Sequence, residues 1–375
     1  IISIPPAAGE KSNARVIDNF CEFSVSLMGN EGERKSRRWD KNTEQENMRE
    51  TERSIELLIY SKQKGFTVVE LLVAMAISAI VITAIYSTYL SQNKSYAIQE
   101  EVAAMQQNCR VAMEMITRDV RMAGYFGCKG DTITNTLAGS STNDYTSAPV
   151  VGVNNDADGG NSIKDGTDQI FLKYADTSEN IEVTAPYMSD TSAAIHVDDS
   201  GSLAAFDIVV ISDCNHTSIF QITNISPGAG KTIVHNTGVG SPGNTTKDLE
   251  HQFMGNSFIM RLHNISYYVD TDNNLIRSDH GNPQPLAENI EDLQFAYIFE
   301  DGEEADIPDD TDADDTNDAE DVRAVRINVL ARTGKVDPAF TGRRPAIEDH
   351  AAAGGTDHYR RRLLTSVIRV RNMGL

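Results

Sequence analysis

A long apolar run, residues 66–90, directly follows Lys62, Lys64 and Gly65 and limits the folds open to this chain. Apart from Glu70, the run contains no charged residue. A run of roughly 20 apolar residues is long enough to cross a bilayer as a helix. Because lysines cluster just before the run, we expect the N-terminal side to stay in the cytoplasm and the rest of the chain to be exported.

The single charge within the run, Glu70, needs a partner. An ionised carboxylate costs at least roughly 2.5 kcal/mol at the centre of a membrane helix and less near an interface. A cut after Gly65 would place the new ammonium group of Phe66 about one helical turn away. In a filament, the ammonium group of a neighbouring subunit would be the better-placed counter-charge. A plain signal anchor with an interfacial Glu is the alternative.

Residues 64–77, Lys-Gly-Phe-Thr-Val-Val-Glu-Leu-Leu-Val-Ala-Met-Ala-Ile, resemble the prepilin cleavage and methylation signature of type IV pilins and type II secretion pseudopilins. The resemblance implies that Gly65 is the last leader residue. It implies that Phe66 is the mature N-terminus, which becomes N-methylated, and that Glu70 guides subunit docking. A prepilin peptidase in the inner membrane would make the cut.

The leader prediction covers residues 1–65. Met48 would start an 18-residue polar leader that ends at Gly65, a sensible length for a prepilin, whereas a leader of 65 residues would be unusual in the family. We therefore expect translation to begin at Met48, with residues 1–47 upstream of the true start. N-terminal sequencing of the uncleaved precursor tests this expectation.

Beyond the apolar run, the sequence predicts that the helix continues with one apolar face and one polar face. Apolar residues recur there at steps of three and four: Val102, Met105, Cys109, Ala112, Ile116 and Val120. Gly124 follows at a plausible helix end. We expect one helix from Phe66 to Ala123, with residues 66–90 as its transmembrane half and residues 91–123 as its amphipathic half.

The remaining chain, residues 124–375, reads as a β-rich domain. Runs rich in β-branched residues predict strands at 169–174, 206–212, 217–225, 258–269, 293–299, 322–332 and 365–371. The segment 270–274, Asp-Thr-Asp-Asn-Asn, predicts a hairpin turn because Asp and Asn tolerate turn conformations. Polar connectors lie at 152–168, 226–247 and 300–321. A helix with one apolar face beside an antiparallel sheet gives an α+β fold, which is the pilin architecture.

Several segments narrow the resemblance to PilW-type minor pilins: 118–128, 207–214, 293–297, 325–327 and 371–372. This implies a minor, assembly-initiating subunit of a type IV pilus (a fimbrium) that works with other minor pilins, the major pilin and the inner-membrane assembly platform. The expected location is the bacterial inner membrane, single-pass with a periplasmic C-terminal domain, and then the pilus tip. A pseudopilin at a type II secretion tip and an adhesin or ligand-binding tip module are the alternatives.

The four cysteines lie in three different parts of the chain. Cys21 lies in the leader, Cys109 on the predicted apolar helix face, and Cys128 and Cys214 in the exported part. An oxidising periplasm favours a disulfide between the last two, which would stabilise by about 4 to 5 kcal/mol on the chain-entropy model. Cys109 is expected to be a small core residue. An intermolecular bridge is its alternative role.

Charge argues against wholesale nucleic-acid binding. Of 33 basic and 55 acidic residues, 11 of each lie in residues 1–65, which leaves 22 basic and 44 acidic residues in the exported part. An acidic surface repels phosphate backbones, although the basic patch Arg360, Arg361 and Arg362 would be able to act alone. The alternative for this patch is a solvated face or a docking surface.

The segment 309–318 carries alternating carboxylates of the kind that ligate calcium, with Asp310, Asp312, Asp314 and Asp321 as candidate ligands. An EF-hand loop would need Gly where Asp315 stands. A structural calcium site and a merely solvated acidic loop therefore both stay open.

Motifs for catalysis are weak. Residues 230–232, Gly-Lys-Thr, echo the end of a P-loop but lack its first Gly, and a strand-like run follows. Residues 238–243 fit GxGxxG formally, yet Pro242 argues for a plain loop. The eight histidines show no HExxH motif and no close Cys/His cluster along the sequence, and no GxSxG occurs. We expect no catalytic residues and no enzymatic activity.

Overall fold

The computed structural model describes residues 65–128, 132–139, 145, 148–156, 162–227, 230–308 and 317–373. The predicted leader up to residue 64, including the Met48 start, lies outside the described residues. So do Asp310, Asp312 and Asp314 of the candidate calcium site. The chain forms two units, Ile1–Ala84 and Ile85–Leu375.

One long helix, α1 (Val68–Met122), comes first in the described chain. Its bounds lie within two residues of those predicted. Every residue from Val68 to Ala97 is exposed. The predicted apolar face beyond this stretch is confirmed, because five of its residues are buried and Val102 packs half-buried against the same core. The buried ones are Met105, Cys109, Ala112, Ile116 and Val120.

Strands dominate the rest of the described chain. A short 3-10 helix, Ala319–Asp321, lies directly before the strand that begins at Val322. The strands are β1 (Thr132–Asn135), β2 (Val150–Val153), β3 (Gln169–Ala175), β4 (Ile181–Glu182), β5 (Ile195–Val197), β6 (Ile208–Ser212), β7 (His216–Gln221), β8 (Asn224–Ser226), β9 (Lys231–Val234), β10 (Phe258–Val269), β11 (Leu275–Asp279), β12 (Asn282–Ala287), β13 (Ile290–Phe299), β14 (Glu304–Ala305), β15 (Val322–Arg332) and β16 (Arg361–Arg369).

Three sheets organise these strands. The largest has nine strands in the order β1-β7-β6-β10-β11-β12, with β2, β3 and β4 off this path. Strand β10 is its centre and pairs antiparallel with β3, β4, β6 and β11, whereas β1 runs parallel to β7. The second sheet has the order β14-β13-β15-β16 and the third β5-β9-β8. The predicted hairpin is confirmed, since Tyr267 pairs with Arg277 and Val269 with Leu275.

The buried face of α1 belongs to one hydrophobic core with residues of the two larger sheets. Leu172 of β3, Tyr267 of β10, Phe295 of β13 and Ile327 of β15 are members of this core. Full burial of such side chains stabilises by roughly 1.5 to 3 kcal/mol each. The chain thus has an α+β, pilin-like fold, with one long N-terminal helix and a β-rich C-terminal domain.

Some predicted boundaries were wrong. The run 217–225 forms two strands, β7 and β8, and the connector 226–247 contains β9. Strand β16 begins at Arg361, four residues before the prediction. Strand β12 was missed because Pro283 and Pro285 cannot donate to a ladder; it lies at the edge of its sheet, where prolines are tolerated.

Candidate assembly site

The start of α1 is closed by a reciprocal pair of hydrogen bonds between Thr67 and Glu70. The backbone N–H of Thr67 donates to Glu70 Oε2 at 3.0 Å, and the backbone N–H of Glu70 donates to Thr67 Oγ1 at 3.2 Å. The Thr67 hydroxyl also donates to Glu70 Oε2 at 3.2 Å. This is a capping box, which satisfies backbone donors that a helix start otherwise leaves unpaired.

The capping box gives Glu70 a partner inside its own chain. A carboxylate at the first turn also lies at the positive end of the helix dipole, which favours its charge. From the sequence we expected an ammonium group as the partner of Glu70, and Thr67 was missed. The Thr-x-x-Glu spacing before an apolar run was the signal that would have found it.

The apolar surface beyond this cap is uncovered in the described residues. Phe66 is 87 % exposed, and large apolar side chains remain exposed along the run as far as Leu90. By length and composition, α1 is apolar enough to cross a membrane. Soluble monomers rarely expose an apolar surface of this extent, so the segment fits a lipid environment or the helices of other subunits.

The far end of α1 carries a buried ionic cluster around Asp119, whose side chain is fully buried. Tyr174 Oη donates to its Oδ1 at 2.9 Å, and Tyr267 Oη donates to its Oδ2 at 2.6 Å. Arg277 Nε donates to Oδ2 and Arg118 Nε to Oδ1, both at 3.0 Å. Four donors from the helix, β3, β10 and β11 therefore satisfy one carboxylate.

Burial and charge fix the protonation states of the two tyrosines and of Arg277 around Asp119. Burial first, and then the charge of Asp119, raise the pKa values of Tyr174 and Tyr267, so both phenols stay protonated and donate. Burial opposes the charge on Arg277, but Asp119 outweighs burial and raises the pKa of the guanidinium group. The role of Asp119 was missed from the sequence, although a charge three residues after Ile116 on an apolar face signals buried partners.

The C-terminus of α1 is closed by the last described residues of the chain. Asn372 Nδ2 donates to the carbonyl oxygens of Met122 and Ala123, each at 3.2 Å. Gly124 takes a φ of +78°, and a Cβ there would lie 3.2 Å from Met373. A glycine is therefore favoured at this helix end on both backbone and packing grounds.

Cysteine positions follow the three-dimensional fold. Cys128, after the helix, forms a disulfide with Cys214 in the turn between β6 and β7. Cys109 is free and fully buried, and its thiol lies 3.5 Å from the carbonyl oxygen of Val329. Burial raises the pKa of the Cys109 thiol to about 11. A neutral, inaccessible thiol of this kind fits the role of a small core residue.

The basic patch at β16 is largely neutralised within the fold. Arg360 Nη2 lies 2.8 Å from Asp337 Oδ2. Arg361 forms ion pairs with Glu291 and Asp357, and its side chain is only 9 % exposed. Arg362 is exposed.

The two nucleotide-like motifs also have structural uses. Lys231 lies in β9, and its Nζ is 2.9 Å from Asp199 Oδ1. Gly238, Gly240 and Gly243 take positive φ values in an irregular segment. A phosphate-binding glycine loop opens a helix, whereas the segment that follows Gly243 is irregular.

Two family models match the chain. Residues 60–86 match the prokaryotic N-terminal methylation motif. Residues 264–372 match PilW, the type IV pilus-assembly protein W. The two matches support a PilW-type minor pilin with a prepilin-type signal. Searches of curated proteins and of solved structures found no match.

The PilW-type match coincides with the part of the fold that receives the helix. Residues 264–372 include the second half of β10 and all of β11 to β16. They contain Tyr267 and Arg277 of the Asp119 cluster and Asn372 of the helix cap. The matched segment therefore supplies partners for both the buried charge and the C-terminus of α1.

Proposed function

We propose that this minor pilin primes or caps type IV pilus assembly through its N-terminal helix. The observation that carries the proposal is the helix start, where a capped Glu70 follows Phe66 on an apolar surface that is exposed in the described residues. The PilW-type match over residues 264–372 supports an assembly role rather than that of an abundant shaft subunit. Pilin-related families are structural and non-enzymatic.

The mechanism begins with processing by the prepilin peptidase. The peptidase cuts between Gly65 and Phe66, and Phe66 becomes N-methylated. Residues 66–90 then bundle with the helices of other subunits. Glu70 exchanges its contact with Thr67 for the ammonium group of a neighbouring Phe66, because an opposite charge in an apolar layer is a stronger partner than a backbone amide.

The location and partners follow from the same anchor. Residues 66–90 form the transmembrane half, residues 91–123 the amphipathic half, and residues 124–375 the periplasmic domain of a single-pass protein in the bacterial inner membrane. Extraction by the assembly platform brings the subunit to the pilus tip, beside other minor pilins and the major pilin. No nucleic-acid partner is part of the proposal.

The first experiment is mass spectrometry of the protein recovered from membranes and sheared pili, with and without the prepilin peptidase. We expect a methylated Phe66 N-terminus that depends on the peptidase. Glu70→Ala should leave processing intact yet give few or no pili, whereas the matched variant Glu100→Ala, on the same helix and exposed, should assemble normally. An intact precursor in wild-type cells would support a plain signal anchor instead.

A ligand-binding tip module is the second candidate, favoured by an open cleft of about 810 Å³. Its polar lining includes Arg261, Asn264, Asp279, His280 and Gln284. Polar groups of this density suit a hydrophilic ligand such as a glycan. Loss of surface adhesion in Gln284→Ala cells that still assemble pili would support this role. If expression of this protein restores protein secretion rather than piliation to cells that lack it, the protein is instead a type II pseudopilin.

Calcium binding by Asp310, Asp312, Asp314 and Asp321 stays a prediction. Oxygen ligands of this kind suit a hard cation. Isothermal titration of the full chain with Ca²⁺ tests it, and the absence of binding heat would contradict it.

A further inference from the structure

Two potential metal ligands lie close together here: Asp213 in the turn after β6, and His216 as the first residue of β7. Asp213 Oδ1 accepts the backbone N–H groups of Asn215 at 2.9 Å and His216 at 2.7 Å. Cys214, between them, takes a φ of +74° and forms the disulfide with Cys128. These bonds hold the backbone of the turn and leave Asp213 Oδ2 outside the backbone contacts.

A third potential ligand, His251, comes from a different segment that is itself anchored. The backbone N–H of Leu249 donates to the Thr191 carbonyl oxygen at 3.0 Å, and Ser218 Oγ donates to the Leu249 carbonyl oxygen at 2.8 Å. The His251 ring packs edge-on against Phe253, with centroids 5.0 Å apart. The fold thus brings His251 to the β6–β7 turn through hydrogen bonds of Leu249 that involve none of the three ligand groups.

The three side chains converge on one point. Asp213 Oδ2 lies 3.0 Å from His251 Nε2, and Asp213 Oδ1 lies 3.7 Å from His216 Nδ1. The two imidazole rings stack, with centroids 3.8 Å apart and planes at 10°. One ligand atom from each residue lies within 4.8 Å of the others. Within the described part of the chain, Asp213 is the polar partner of both rings.

We propose that Asp213, His216 and His251 bind a divalent transition metal ion of the zinc class. Two imidazole nitrogens and one carboxylate oxygen are the donors that Zn²⁺ uses in sites with three protein ligands, which keep an open position for water. Hard cations such as Ca²⁺ prefer six or more oxygen ligands, so this donor set excludes them. The bound ion would tie the disulfide-bearing turn to the segment that carries His251.

Binding requires one local adjustment. A metal ion lies in the plane of each imidazole that binds it, whereas the two rings are stacked in parallel. One ring therefore has to turn about its side-chain torsions. His216, whose side chain is 48 % exposed, has room to do so, while His251 at 30 % and Asp213 at 14 % are held more firmly.

The test is isothermal titration with Zn²⁺. The protein is the full chain in mild detergent, free of metal and purified without a histidine tag. We expect one ion per chain. His216→Ala and His251→Ala should each weaken binding at least about tenfold, since each removes a direct ligand. His358→Ala, which changes an exposed histidine elsewhere, should bind as the wild type does. Excess Ca²⁺ should not displace the zinc.

A second measurement separates binding from folding. Zn²⁺ should raise the unfolding temperature of the wild type and of His358→Ala, because an ion that binds only the folded chain stabilises it. It should raise the unfolding temperatures of the His216 and His251 variants less, each compared with its own metal-free value, because these variants bind the ion more weakly. Absence of stoichiometric binding, or wild-type affinity in both variants, would overturn the proposal.

Discussion

The two halves of α1 place apolar residues in opposite surroundings. Ile80 is 71 % exposed, whereas Ile116 is fully buried against the sheets. Between residues 66 and 90 apolar side chains cover every face of the helix, while beyond Val102 the buried apolar side chains lie on one face. The pattern of apolar residues therefore matters more than their number. Apolar residues on all faces suit a segment that contacts lipid or other helices, whereas a single apolar face suits a segment that packs on its own chain.

The carboxylates of the two halves, Glu70 and Asp119, also differ in where their partners lie along the chain. Glu70 finds its partner within one helical turn, at Thr67. Asp119 is bound by Tyr267 and Arg277, which lie 148 and 158 residues further along the chain. Loss of the first should affect assembly, and loss of the second should affect the fold.

The largest expected effect comes from Asp119→Ala. Removal of the carboxylate leaves Arg277 and two tyrosine hydroxyls buried without their partner, which should lower the free energy of unfolding by about 3 to 5 kcal/mol. Urea unfolding of the full chain in mild detergent, followed by near-UV circular dichroism, measures this change. Glu70→Ala is the matched control and should unfold as the wild type does. Equal losses of unfolding free energy in both variants would show that the two carboxylates do not differ in their contribution to the fold.

A smaller effect is expected when the same substitution is made in each half. Ile116→Ala should cost about 2 to 5 kcal/mol, because it removes a buried side chain and leaves a cavity. Ile80→Ala should leave the free energy of unfolding of the β-rich domain unchanged. The same urea titration reports both values. A substantial loss for Ile80→Ala would show that the first half supports the fold after all.

The third expected effect is a pH dependence confined to the packed part. The Asp168 carboxylate accepts the backbone N–H groups of Asn155 at 2.9 Å and Phe295 at 2.7 Å. Burial raises the pKa of Asp168 to about 7. The folded chain therefore keeps this proton to higher pH than the unfolded chain, whose Asp pKa is about 3.9.

The stability that Asp168 contributes is complete below about pH 4 and is lost as the pH rises towards about 7. The loss is about 1.4 kcal/mol for each unit by which the folded pKa exceeds the unfolded one. Asp168→Asn cannot titrate, so the difference in unfolding free energy between wild type and variant should shift in favour of the variant across this range. A pH-independent difference would contradict the raised pKa.

Much of the outline was predictable from the sequence because its signals are local. The bounds of α1, its buried face and the turn at 270–274 depend on periodicity and turn chemistry within a few residues. The short strand β9 and the proline-containing strand β12 were missed. The strands with which they pair, more than their own residues, decide their conformation.

The sequence by itself determined that this protein has an apolar anchor with a prepilin-type signal, an amphipathic helix after it and a β-rich domain, since each follows from the order of neighbouring residues. Only the tertiary structure decided that Asp119 meets Tyr267 and Arg277, that Glu291 neutralises Arg361, and that His216 meets His251. Those contacts join residues that are far apart in the chain. Strand register and loop closure bring these residues together, and no local sequence pattern encodes either of them.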